Sequence, residues 1–99
     1  MGVWQKLDVL RDVYSEEDEL DQILGKLLEV TLEKYRLRRH RYDQRLRAFE
    51  EKYNLDSETF YERFEAGLLG DSMDFFEWAG LYELRRDLDN KIRTLERVA

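Results

Sequence analysis

Residues 28–53 read LEVTLEKYRLRRHRYDQRLRAFEEKY. Leu28, Tyr35, Tyr42 and Phe49 recur every seven residues. Leu32, Leu46 and Tyr53 form a second line four residues further on, interrupted at Arg39. On a helix these two lines merge into one apolar stripe, whereas a strand would alternate with period two. Read backward, the pattern reaches Ser15, whose hydroxyl is suited to accept a free N–H of a first turn. Glu16 to Glu19 follow, where the helix dipole favours negative charge. The spacing predicts one helix over residues 15–53, about 57 Å long at 1.5 Å per residue, the length of a coiled-coil-like arm. Its first half is apolar over a wider arc, through Leu20, Ile23, Leu24, Leu27, Leu28, Val30 and Leu32. One partner helix does not cover so wide a face, so a second contact surface is expected there.

Working outward, Asn54-Leu55-Asp56 breaks the helix. Asp56 is placed to cap a short helix over 57–66, with Leu55 packing on Phe60 as a hydrophobic staple. Gly67 is a natural left-handed residue after that helix, with Leu68 placed to fold back on its end. Gly70-Asp71-Ser72 resets the chain: Gly70, like Gly67, is expected to take positive φ, and Asp71 or Ser72 to cap the next helix. That helix, 72–98, carries Phe75, Trp78, Leu81, Tyr82, Leu84, Leu88, Ile92, Leu95 and Val98 at intervals of one helical face, with Asp74 and Glu77 in its first turns. The expected fold is all-α: long, short and long helices forming an antiparallel hairpin that dimerises into a bundle. Residues 15–99 make this single domain. Residues 1–14, with Trp4, Leu7, Val9, Leu10 and Val13, suit either a short helix or an extended arm.

The chain has 99 residues, of which 40% are charged and 42% apolar, with no proline and no cysteine. Disulfides, thiol nucleophiles and cysteine zinc sites are thereby excluded. No apolar run approaches the roughly 20 residues of a membrane span, and the first eight residues lack a signal-peptide core. Gly2 is followed by Lys6 where a myristoylation motif has Ser or Thr. A reducing cytoplasm is the expected location. So short a chain buries only about 60% of its extended surface, which favours stabilisation by a partner.

The formal net charge of −6 conceals a pattern. Residues 8–29 hold eight acids and two bases, residues 33–47 seven bases and two acids, and residues 56–77 seven acids and one base. Arg36, Arg38, Arg39, Arg41, Arg45 and Arg47 point around much of the first helix. Two readings stay open: pairing with acids of the later helices, or a grip on an acidic partner or phosphate backbone. The guanidinium fork suits both.

No catalytic constellation stands out. His40, the only histidine, is flanked by Arg39 and Arg41, which disfavours a bound cation. Its spacing from Arg36 departs from the pair of small helical HEPN-type ribonucleases. Glu62 and Glu65 share a helical face, but Glu83 and Asp87 have the wrong spacing to complete the magnesium cage of helical pyrophosphohydrolases. No phosphate loop or nucleophile elbow is present. The long–short–long order resembles small helical chorismate mutases in shape, but the last helix carries no Gln and the bases cluster on one segment. No metal or cofactor is expected.

One stretch carries a resemblance: Phe49-Glu-Glu-Lys-Tyr53, then Ser57, Tyr61, Phe64-Glu-x-Gly67-x-x-Gly70-Asp71-x-x-Asp74-Phe75-x-x-Trp78. Over about residues 49–82 it resembles small all-α antitoxins of bacterial and archaeal toxin–antitoxin pairs. The residues also make sense as a folding corner that includes Tyr53, with Phe49, Phe60, Phe64, Phe75 and Trp78 as an aromatic plug. The resemblance implies a non-catalytic module that masks the surface of a toxin. Leu20, Ile23, Leu24, Leu27 and Val30, together with Arg36, Arg38, Arg39, Arg41 and Arg45, are the expected partner-binding residues. Nucleic-acid binding through Arg36–Arg47 and a chorismate-mutase-like enzyme are the alternatives.

Overall fold

The computed structural model describes residues 1–14 and 16–98. Among them the chain forms four helices and no strand: α1 (Val3–Val13), α2 (Glu17–Tyr53), α3 (Ser57–Glu65) and α4 (Met73–Glu96). The molecule is elongated, 59 Å in its longest dimension and 24 and 18 Å across. Ser15, the expected cap, lies outside the described residues. The first turn of α2 holds Glu17, Asp18 and Glu19, each beside the free N–H groups of the helix start.

Residues 1–14 resolve to a helix rather than an extended arm. The Gly2 N–H donates to Gln5 Oε1 at 2.7 Å. No residue of α1 is buried, and it meets α2 only sparsely. An 11-residue helix with no buried face is marginal in water by itself.

The turns follow from local chemistry. Asn54 ends α2 in the left-handed region, at φ 49° and ψ 50°, and the Leu55 N–H returns to the Glu50 carbonyl at 3.2 Å. Asn is one of the few side chains that tolerate this conformation. The Asp56 carboxylate then accepts the Thr59 N–H at 2.8 Å, and Leu55 packs on the cluster that contains Phe60. At the far end of α3, Gly67 has φ 71°. The Leu68 N–H reaches the Arg63 carbonyl at 3.0 Å and the Gly67 N–H that of Phe64 at 3.1 Å, which together form a Schellman closure.

Two expectations at this corner, for Gly70 and Leu68, need correction. Gly70 does not adopt positive φ. Of the two caps expected for α4, Ser72 rather than Asp71 holds the position, through its backbone carbonyl, which accepts from the Phe75 N–H at 3.0 Å. Leu68 does not fold back but stands 72% exposed, while Leu69 packs on the core. The physical reason is that one left-handed residue already reverses the chain, so a second is not needed before α4. A Cβ at either glycine would meet no atom within 4 Å. Gly67→Ala should therefore cost about 1–2 kcal/mol from backbone strain alone, and Gly70→Ala should be neutral or stabilise by up to about 1 kcal/mol. Urea denaturation of the two variants checks the contrast.

α2 and α4 pack along most of the length of α4, and partners fall in number along α4 as they rise along α2. Two clusters form the core. Leu46, Phe60, Trp78, Ala79 and Leu81 sit near the corner; Leu32, Leu88 and Ile92 sit towards the end of α4. Arg39, which interrupts the apolar line of α2, is bonded to Asp89 at 3.1 Å. The break in the heptad pattern is thus filled by an ion pair.

Candidate functional site

The corner is an aromatic stack around Trp78. Its ring lies 3.8 Å from that of Phe60 at an interplanar angle of 5°. Phe49 and Tyr53 stack on it from α2 at 5.6 and 5.7 Å. Phe75 and Phe64 adjoin Phe60 at 5.6 and 5.7 Å. Trp78 Nε1–H donates to Ser57 Oγ at 2.9 Å, and the Ser57 N–H donates to Glu50 Oε2 at 2.8 Å. This relay satisfies the buried indole and one free N–H at the start of α3. Ser57 and Glu50 thus join three helices, a role that no periodicity in the sequence signals.

Asp74 belongs to the same corner. Lys52 Nζ and Tyr53 Oη both donate to its carboxylate, at 2.6 and 2.5 Å. These bonds hold the Asp74 carboxyl below the usual range and raise the values of Lys52 and Tyr53. Asp56 is lowered in the same sense by the Thr59 N–H. Tyr61, bonded to Glu83 at 2.6 Å, is pushed up to about 12. A carboxyl whose folded value is depressed contributes stability that is complete above its ordinary value of 3.8 and is lost as pH falls through the depressed one. Acid should therefore destabilise the fold. Asp74→Asn should be less stable than the parent at neutral pH and converge with it in acid, which urea midpoints across a pH series measure.

The basic segment divides. Arg36, Arg39 and Arg45 pair with Glu96, Asp89 and Glu77 of α4, at 3.3, 3.1 and 2.7 Å. Arg85 returns from α4 to Asp43 at 2.7 Å and also meets Asp89 at 3.3 Å. The outer pairs are about half exposed, so each is worth at most about 1 kcal/mol. They mark which turn of α4 lies on which turn of α2. Arg38 lies over the ring of Tyr35 at 5.4 Å. Among the described residues, Arg38, Arg41 and Arg47 form no ion pair.

The expected apolar face is present and largely uncovered. Glu96, the last residue of α4, reaches Arg36, so α4 covers little of α2 before Leu32. Leu20 and Leu24 are half-buried, whereas Ile23 is 45%, Leu27 60% and Val30 53% exposed. Leu37, 53% exposed, continues this face beyond the expected limit. Its position seven residues after Val30 was the available signal, obscured by the surrounding arginines.

A shallow depression between α2 and α4 is lined in part by Arg47, Arg85 and Arg86, opposite Asp43, Glu50 and Asp89. Its lining holds three bases and three acids. Among the described residues, no three His, Cys, Asp or Glu side chains come together as a metal-binding group, and no helix is long and apolar enough to cross a membrane. No protein-family model, no curated protein and no solved structure matches the chain.

Proposed function

We propose that this chain is a non-catalytic protein-binding module of the cytoplasm. In this reading α2 and α4 form an antiparallel hairpin plugged at one end by α3. It dimerises through residues 20–32 and neutralises a partner by masking its surface, as do the antitoxins that its corner resembles. The observation that carries the reading is the uncovered stripe of Ile23, Leu27, Val30 and Leu37. Apolar side chains gathered on one face in contact with water mark an interaction surface. The charge of the partner follows from the acids around α3. Glu58, Glu62, Glu65 and Asp71 are exposed and form no ion pair among the described residues. They complement a basic protein surface, which in a toxin directed at RNA is the working face. Tagged chain recovered from its native host should retain a small basic protein, and the purified pair should run as one complex by size exclusion with light scattering. A folded chain that captures no protein overturns the reading.

Arg38, Arg41 and Arg47 support a second reading, contact with nucleic acid, for example an operator. It predicts DNA affinity that falls steeply with salt and is lost in Arg38→Ala, Arg41→Ala and Arg47→Ala combined. Unchanged binding in that variant overturns it.

A further inference from the structure

The stripe of α2, half-buried at Leu20 and exposed at its other apolar positions, has a spacing of its own. Leu20, Ile23, Leu27, Val30 and Leu37 are separated by three, four, three and seven residues, with Lys34 at the remaining step. That is the a/d alternation of a coiled coil. It lies about a third of a turn around the helix from the line Leu28, Leu32, Tyr35 and Tyr42, whose Leu32, Tyr35 and Tyr42 pack with α4. α2 therefore carries two seams, and α4 fills only one.

The geometry points to a second copy of this chain, antiparallel, as the occupant of the free seam. This rests on the reading of residues 20–30 as an interaction surface and specifies its partner. The argument is charge. Glu16, Glu17, Asp18, Glu19 and Asp21 are exposed at one end of the seam, and Arg38 and Arg41 at the other. A parallel pair would set each block beside its own copy; an antiparallel pair sets acid against base.

The seam itself fixes the register. Layers of Leu20 on Leu37, Ile23 on Lys34 and Leu27 on Val30, each repeated by two-fold symmetry, bring every apolar position into use. The Lys34 stem lies over Ile23 and its ammonium reaches out to water. In this register the flanking positions meet as Lys26 with Glu33, Glu19 with His40 and Glu17 with Arg38 of the other copy. Each of these contacts is a carboxylate opposite a base. Lys26 and Glu33 are both exposed and lie two helical turns apart within one chain, about 10 Å. They therefore meet only between copies.

Sedimentation equilibrium of the full chain tests this. The parent should be a dimer. Lys26→Glu and Glu33→Lys each convert two attractive contacts into repulsive ones and should weaken the dimer on the order of tenfold; the double variant should restore it. The chain has no cysteine, so a mixture of Leu20→Cys and Leu37→Cys proteins should cross-link with each other, and neither should cross-link alone. A monomeric parent, failure of the double reversal to restore association, or self-cross-linking of either cysteine variant overturns the proposal. A monomer that still captures a basic protein would remove the antiparallel dimer and leave partner masking intact. A dimer that captures none would do the reverse.

Discussion

Trp78→Ala should cost about 3–5 kcal/mol, the range for deleting a buried large aromatic. Trp78 is fully buried, touches Phe60 face to face, and is flanked by Phe49 and Tyr53 from α2. Its removal opens a cavity that three helices line and that none can close without leaving the others. A small domain is stable by about 5–15 kcal/mol in total, so the loss takes a large share. The melting temperature should fall by more than about 12 °C, since each kcal/mol is worth about 4–8 °C at this size. Two further variants separate the contributions. Trp78→Phe keeps one ring of the stack and loses the rest of the indole together with its N–H bond to Ser57. Ser57→Ala keeps the stack and leaves that N–H unpaired, at about 1–3 kcal/mol. Trp4 is 80% exposed, so a Trp4→Phe background leaves Trp78 as the sole tryptophan, and its emission, excited at the red edge of the absorption band, should shift to the red only on unfolding.

Ile92→Ala should cost about 2–5 kcal/mol, with a different spatial outcome. Ile92 is fully buried, but its cluster contains only Leu32 and Leu88 as buried neighbours, with Tyr35, Tyr42 and Leu95 partly buried around them. Of the side chains around it, Tyr42 alone also packs on the aromatic cluster. The last turns of α4 should therefore loosen before the corner does. Hydrogen exchange should accelerate over residues 88–96 and around Leu32, while amides near Phe60 and Trp78 keep their protection. Equal acceleration at both ends would show that the clusters unfold as one unit.

Much of the helical plan was legible because its signals are local. The end of α2 at Tyr53 follows from Asn54, and the start of α3 from the Asp56 carboxylate that accepts the Thr59 N–H. Gly67 was legible for the same reason, being the residue that takes positive φ at no steric cost. Gly70 and Leu68 were misjudged, and the cap was left open between Asp71 and Ser72, because composition does not say which of several turn-forming residues will perform the reversal. The helical state of residues 3–13 was open, because eleven residues with scattered apolar positions satisfy either template.

The basic segment shows the other side. Six arginines on one helix are equivalent as sequence. Whether each pairs depends on which acid of α4 lies at its level, and that is set by the packing of Leu32, Leu46, Leu88 and Ile92 between the helices. Arg36, Arg39 and Arg45 find partners; Arg38, Arg41 and Arg47 do not among the described residues. The same packing set where α4 stops relative to α2, and so which apolar side chains stay in water.

The sequence by itself determined that the chain is all-helical and where its principal breaks fall. Apolar period and capping residues act within a few positions along the backbone, where the identity of the neighbours is known. Only the tertiary structure decided that Ser57 and Glu50 bond the corner together, that half of the arginines are neutralised, and that Ile23, Leu27, Val30 and Leu37 remain open. Those outcomes depend on contacts between residues 7 to 60 positions apart, and the level at which two helices meet is written in neither helix alone.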